Sequence, residues 1–189
     1  MSDRILTIPN ALTIARGILA APLVWSILTS RFGLALAIVV AAGFTDLFDG
    51  MAARRFGQSS DLGRLLDPIA DKLLLVSTFL AVSIPGLGFE PLPWWLAALA
   101  ILRDVGIVLA GYVIYRRTGF SGFTPTWLGK VNTNVELWVL FLFLLTRAFD
   151  LPTGLLALSI YVTAVSIVVS GVHYVFHARH QLANRETGP

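Results

Sequence analysis

Four aspartates crowd one stretch of this chain. In "GFTDLFDGMAARRFGQSSDLGRLLDPIADKLLL", residues 43 to 75, Asp46 and Asp49 are three apart, and Asp67 and Asp71 are four apart. On helices, each pair lies on one face. Carboxylates brought this close cannot all stay ionised without a neutralising partner. The donor set is all oxygen, with no His or Cys nearby, and suits a hard divalent cation, Mg²⁺ or Mn²⁺, rather than zinc. The plainer alternative is pairing with Arg54, Arg55, Arg64 and Lys72 at an interface. That would satisfy a single aspartate; two facing pairs are better explained by a cation.

The neighbouring residues say what the cation would hold. Gly50 follows Asp49 and lets a ligand approach the backbone. Arg54 falls one turn further along the same face, where a guanidinium can fork onto a phosphate. The chemistry that fits is phosphoryl transfer, with cations clamping a diphosphate while one carboxylate takes a proton from the attacking hydroxyl.

The elements that must position these groups are apolar. Of 189 residues, 56% are hydrophobic and 13% charged, with mean hydropathy +0.78. A soluble domain carries about 25% charged residues. A spanning helix needs roughly 20 apolar residues, and six such runs are expected, over about 11–30, 32–54, 64–84, 93–115, 128–147 and 153–176. The expected fold is an all-α membrane protein of six transmembrane helices, one domain over 1–189. "MSDRILTIPN" reads as a short interfacial segment in which Pro9 sets the turn into the membrane. With no cysteine, disulfide and thiolate chemistry are excluded.

The net charge of +3 belongs to topology rather than to nucleic acid. Six spans put both termini on one side, and Arg4, Arg16, Arg54, Arg55, Arg64, Lys72, Arg116, Arg117, Lys130, Arg179 and Arg185 lie on or near it. Only Arg31 and Arg147 flank the other side. By the positive-inside rule, the termini and the 55–63 connection face the cytoplasm, and so do the aspartates. The first apolar run starts almost at once, which argues against a cleaved leader and for a prokaryotic plasma membrane.

The spacing Asp46-x2-Asp49-Gly50-x2-Ala53-Arg54-x8-Gly63-x3-Asp67-x3-Asp71 resembles, without a departure, the signature of the CDP-alcohol phosphotransferases. That resemblance implies that the four aspartates bind two divalent ions, which hold the diphosphate of a CDP-linked donor. It implies that Asp71 is also the general base on the acceptor hydroxyl, and that Gly50, Arg54 and Ser60 contact the donor. It further implies a homodimer with its site open to the cytoplasm and a groove for lipid tails.

Two more stretches narrow the branch. "IPNALTIAR" (8–16) and "LDPIADK" (66–72) are similar to the phosphatidylglycerophosphate synthases and the eukaryotic-type cardiolipin synthases, implying CDP-diacylglycerol as donor. Asn10 and Thr13 would then lie by its cytidine end; helix capping would explain both equally well. The acceptor depends on "LRDVGIVLAGYVIYRR" and on Gly129-Lys130-Val131-Asn132-Thr133. Phosphatidylglycerophosphate synthases usually carry a second lysine where Asn132 stands. "RDV" and "KVNT" look more like the cardiolipin synthases, so phosphatidylglycerol is the expected acceptor and glycerol 3-phosphate the alternative. Arg103 and Lys130 remain as cations that could approach either one.

Other polar residues carry weaker readings. Asn132, Asn134 and Glu136 either line the acceptor pocket or bridge helices. His173, His177 and His180 fit solvated or headgroup-contacting positions better than a metal site. Trp94, Trp95, Trp127 and Trp138 read as interfacial belt residues. A cation or proton transporter is the non-enzyme alternative. It would want charges at several depths, whereas these aspartates gather at one end.

Overall fold

The computed structural model describes the backbone of residues 8–56, 61–118 and 126–186, and the side chains of 17–45, 70–113, 116 and 126–176. Six α-helices make up the described fold: α1 (Ile8–Leu28), α2 (Phe32–Phe56), α3 (Asp61–Val82), α4 (Trp94–Thr118), α5 (Trp127–Ala148) and α6 (Gly154–Glu186). A helix satisfies its own backbone hydrogen bonds, which a lipid surround cannot do. Among the described residues, three stretches are long and apolar enough to cross a bilayer: Trp94–Val113, Trp127–Ala148 and Gly154–Phe176. Gly17–Leu28 and Phe32–Thr45 are shorter apolar stretches.

All six expected elements are present, with two differences at their ends. α1 already begins at Ile8, so Pro9 lies within its first turn and does not precede it. A missing N–H costs nothing there, because the first turn has no partner for it. α6 runs to Glu186, ten residues beyond the expected end at 176. Apolar length sets where a helix leaves lipid, not where it stops. "HARHQLANRE" contains no Gly or Pro to break it.

By Cα proximity the chain divides into two compact units, each discontinuous in sequence. The first joins Met1–Leu92 to Leu140–Leu151. Within it α1 packs against both α2 and α3. Leu23 and Ile27 on α1 are fully buried, as are Phe79 and Val82 on α3 and Phe143 and Leu144 on α5. Three connections gather at one end of this unit. Ser30, after α1, donates its hydroxyl to the Leu87 carbonyl at 3.2 Å. Arg147, in the last turn of α5, donates to the Glu90 carbonyl at 2.7 Å. Between them Phe32, Phe89 and Phe143 meet edge to face, with ring centroids 5.0 to 6.2 Å apart, and the Arg147 guanidinium lies 5.5 Å from the Phe143 ring centre.

Two of these ends use a left-handed residue to stop the helix. After α1, Arg31 N–H bonds to Ser26 O at 2.7 Å and Ser30 N–H to Ile27 O at 2.9 Å, with Ser30 at φ 56. After α5, Leu151 N–H bonds to Thr146 O at 3.0 Å, with Asp150 at φ 49. Glycine usually fills this position. The chain from α3 to α4 does place glycines, Gly86 and Gly88, where φ is positive.

The second unit joins Pro93–Val139 to Pro152–Pro189. Here α4 packs on α6. The buried stripe of α6 runs Leu156, Thr163, Ile167, Ser170, Tyr174, the three-and-four spacing of one helical face. Opposite faces carry exposed Leu102, Val108, Leu158 and Val165, as expected of surfaces against acyl chains rather than water.

Candidate active site

The aspartates divide between two helices joined by a short connection. Asp46, Asp49, Gly50 and Arg54 lie on the last part of α2, and Asp67 and Asp71 on the first half of α3. α2 ends at Phe56 and α3 opens at Asp61, leaving four residues between them. Five Cα steps of extended chain reach at most about 18 Å, so the end of α2 and the start of α3 lie within that distance of each other. Heights above the connection then match in pairs. Asp49 is seven residues before Phe56 and Asp67 six after Asp61, each about 10 Å along its helix at 1.5 Å per residue. Asp46 and Asp71 are both ten residues away, about 15 Å along.

Of these four, Asp71 is the one whose side chain is described. It is exposed on α3, between Ala70 and a run of buried Leu74 and Leu75 that faces the core. A carboxylate held on a packed helix yet open to its surroundings can be reached by a cation or a hydroxyl. The side chains of Asp46, Asp49, Gly50, Arg54 and Asp67 lie outside the described residues, as does Ser60 altogether. Asn10 and Thr13 fall inside α1, in its first two turns; their side chains are also outside. Since α1 begins at Ile8, neither stands at the capping position before the helix. Among the described residues, no three ligand-type side chains gather as a metal site. The donor type itself, four aspartates at paired positions along two helices, fits a hard divalent ion.

A second polar group lies in the other unit. The Arg103 side chain is only 7% exposed. Its Nη1 donates to Asp104 Oδ1 at 2.9 Å and its Nη2 to Ser170 Oγ on α6 at 2.7 Å. Arg103 also borders an apolar cavity of about 410 Å³, with Leu99, Leu102, Ile167 and Gly171 among its walls. A Cβ placed on Gly129 would sit 3.2 Å from Arg103 Nη2, so the guanidinium lies flush against the first turn of α5. Thr126 caps that turn, its hydroxyl accepting from Gly129 N–H at 3.2 Å. Lys130, next along, is exposed.

Asn132 and Glu136 are both fully buried. Asn132 Nδ2 donates to Glu136 Oε1 at 2.7 Å, and Ser166 Oγ on α6 donates to Asn132 Oδ1 at 2.9 Å. They bridge helices. Asn134 is exposed and bonds back to the Lys130 carbonyl at 3.1 Å. The exposed side chains of Trp94 and Trp127, at the starts of their helices, suit an interfacial belt; Trp138, midway along the Trp127–Ala148 stretch, does not. His173 is exposed on α6, while His177 and His180 are outside the described side chains.

Sequence reasoning missed Ser166 and Ser170, and it named Gly129 in the acceptor motif without a role for it. A signal existed for the first two: Ser159, Thr163, Ser166 and Ser170 recur at spacings of four, three and four, a hydroxyl stripe on one face of an apolar helix.

The model of the CDP-alcohol phosphatidyltransferase family matches residues 6–174, and the chain belongs to that family. It is an integral membrane protein of a family whose members depend on divalent metal. A probable cardiolipin synthase (CMP-forming) of Drosophila melanogaster is 38% identical over 151 residues, 71% of this chain and 46% of the relative. A cardiolipin synthase (CMP-forming) of Streptomyces coelicolor is 40% identical over 139 residues, 70% and 62%. A probable phosphatidylglycerophosphate synthase of Mycobacterium tuberculosis is 35% identical over 146 residues, 76% and 65%. The chain thus spans about half to two thirds of the length of these relatives.

Proposed function

We propose that this chain is a divalent-metal-dependent phosphatidyltransferase that moves the phosphatidyl group of CDP-diacylglycerol onto phosphatidylglycerol and releases CMP, as a single domain acting in a homodimer. The observation that carries the reading is the aspartate signature, split across the ends of α2 and α3 at paired heights, inside a family match that crosses both compact units.

Asp46, Asp49, Asp67 and Asp71 would hold two ions, Mg²⁺ or Mn²⁺. Bound there, the ions would offset the charge of the donor's diphosphate. Gly50, Arg54 and Ser60 grip that diphosphate, with Asn10 and Thr13 toward the cytidine. Asp71 accepts the proton of the acceptor hydroxyl. The hydroxyl oxygen bonds to the phosphatidyl phosphorus, and the bond from that phosphorus to the bridging oxygen breaks, so CMP leaves with the electron pair. Lys130 takes the acceptor's own phosphate. The eleven basic residues on the terminal side support an orientation with this site and both termini cytoplasmic, in a prokaryotic plasma membrane.

Cardiolipin synthase relatives and the absence of a second lysine at Asn132 favour a lipid acceptor. Glycerol 3-phosphate is the second reading, favoured by the Mycobacterium tuberculosis relative. Purified protein in detergent with CDP-diacylglycerol and Mg²⁺, offered phosphatidylglycerol, glycerol 3-phosphate, serine or inositol phosphate in turn, separates them. CMP with phosphatidylglycerol alone is the expected result. CMP with glycerol 3-phosphate alone transfers the assignment to the second reading, and no CMP with any acceptor overturns the enzyme.

A further inference from the structure

Arg103 is buried in a helix that crosses the membrane, where an ionisable side chain is costly and marks function. The Asp104 carboxylate, 2.9 Å away, offsets part of that cost. The guanidinium lies against the first turn of α5, the positive end of that helix's dipole. Specific bonds hold it there, to Asp104 on its own helix and to Ser170 on α6. Gly129 makes the room. Its first-turn position does not demand a glycine for φ, and glycine in a helix costs up to about 1 kcal/mol relative to alanine. What an alanine would meet is Arg103 Nη2 at 3.2 Å and Thr126 Oγ1 at 3.3 Å. Three helices therefore converge on one side chain: α4 supplies it, α6 anchors it, and α5 rests on it. The residue after Gly129 is Lys130, exposed.

We propose that Arg103 is a positioning residue: by tying α4 to α6 and lying flush against Gly129, it fixes the first turn of α5 and holds the Lys130 ammonium where it meets the phosphate of the acceptor. The inference rests on the function proposed above only in that the acceptor carries a phosphate, as phosphatidylglycerol and glycerol 3-phosphate both do. The role assigned to Arg103 is to position: its bonds to Asp104 and Ser170 engage both terminal nitrogens in holding the helices together.

The test uses the full chain in detergent, with CDP-diacylglycerol, Mg²⁺ and phosphatidylglycerol. Ser170→Ala and Gly129→Ala each disturb the tie while leaving Arg103 in place. Each is expected to raise the KM for the acceptor about three- to tenfold, the equivalent of one hydrogen bond. The KM for CDP-diacylglycerol and kcat should stay within about twofold, because the tie reaches the reaction only through acceptor binding. In a Lys130→Gln background Ser170→Ala should add nothing further, since the tie acts through Lys130. Additive losses, or both KM values rising together, would overturn the proposal.

A readout independent of activity comes from the absence of native cysteine. A spin label on Lys130→Cys should gain mobility when Ser170→Ala or Arg103→Met is added, with Arg103→Lys intermediate. An unchanged spectrum in all three rejects the positioning role. If the unaltered protein releases no CMP with any acceptor, the functional reading fails, and the spin label alone decides the role of Arg103.

Discussion

In the proposed reaction Asp71 takes the acceptor's proton, and its neutral isostere is the sharpest probe of that role. Asp71→Asn keeps shape and hydrogen-bonding capacity but cannot take a proton at neutral pH. The rate of CMP release should fall about 10²- to 10⁴-fold, the range of a lost general base. Because Asp71 is exposed, folding should survive, which an unchanged melting curve in detergent would verify. Asp49→Asn removes a cation ligand instead, so the Mg²⁺ concentration for half-maximal rate should rise. Chelation with EDTA should stop the unaltered enzyme reversibly, with Mg²⁺ restoring it; activity that persists in EDTA would remove the cation from the reading. At this scale the sequence was legible wherever partners are local. The aspartates announce themselves because spacings of three and four are helix periods. The Arg103–Ser170 bond spans 67 positions, and nothing in either neighbourhood encodes it. Asn132 and Glu136 could be read as lining the acceptor pocket or as bridging helices, with nothing local to decide between the two. Ser166, 34 positions on from Asn132, makes them a bridge between helices.

Helices were readable from apolar length, but their ends obey different physics. Lipid thickness governed the expected spans, whereas hydrogen-bond capping and backbone φ govern where each helix stops. That is why α6 overran its expected end and Pro9 fell inside α1. The clearest case is Asp150, which ends α5 in a left-handed conformation. For an L-residue that conformation costs about 1–2 kcal/mol, least for Asn and Asp. Asp150→Gly relieves that strain but adds freedom to the unfolded chain. The net should be a gain below about 1 kcal/mol, seen as a slightly higher melting temperature in detergent. Asp150→Val, β-branched, should lower it by about 1–2 kcal/mol equivalent. A Val variant as stable as the Gly variant would mean that the turn rearranges freely. Ser30 is a less clean probe, because replacing it also removes its bond to the Leu87 carbonyl.

For the whole molecule the decisive question is which way it faces. The Ser30–Leu87 and Arg147–Glu90 bonds put the chain following α1, the connection between α3 and α4, and the end of α5 together at one end of the first unit. The expected six-span topology assigns eleven basic residues to the opposite, terminal side, against Arg31 and Arg147. An imbalance of that size sets orientation through the cost of moving cations across the bilayer. Single cysteines test it without background in a cysteine-free chain. Ser30→Cys and Pro85→Cys, both at exposed positions, should react with a membrane-impermeant maleimide in intact cells. Arg116→Cys and Glu186→Cys should react only after permeabilisation. The reverse pattern would put the aspartates outside and overturn the proposed orientation. Equal labelling of all four in intact cells would break the six-span topology itself, and with it the single-sided placement that the proposed sharing of cations by two pairs of carboxylates requires.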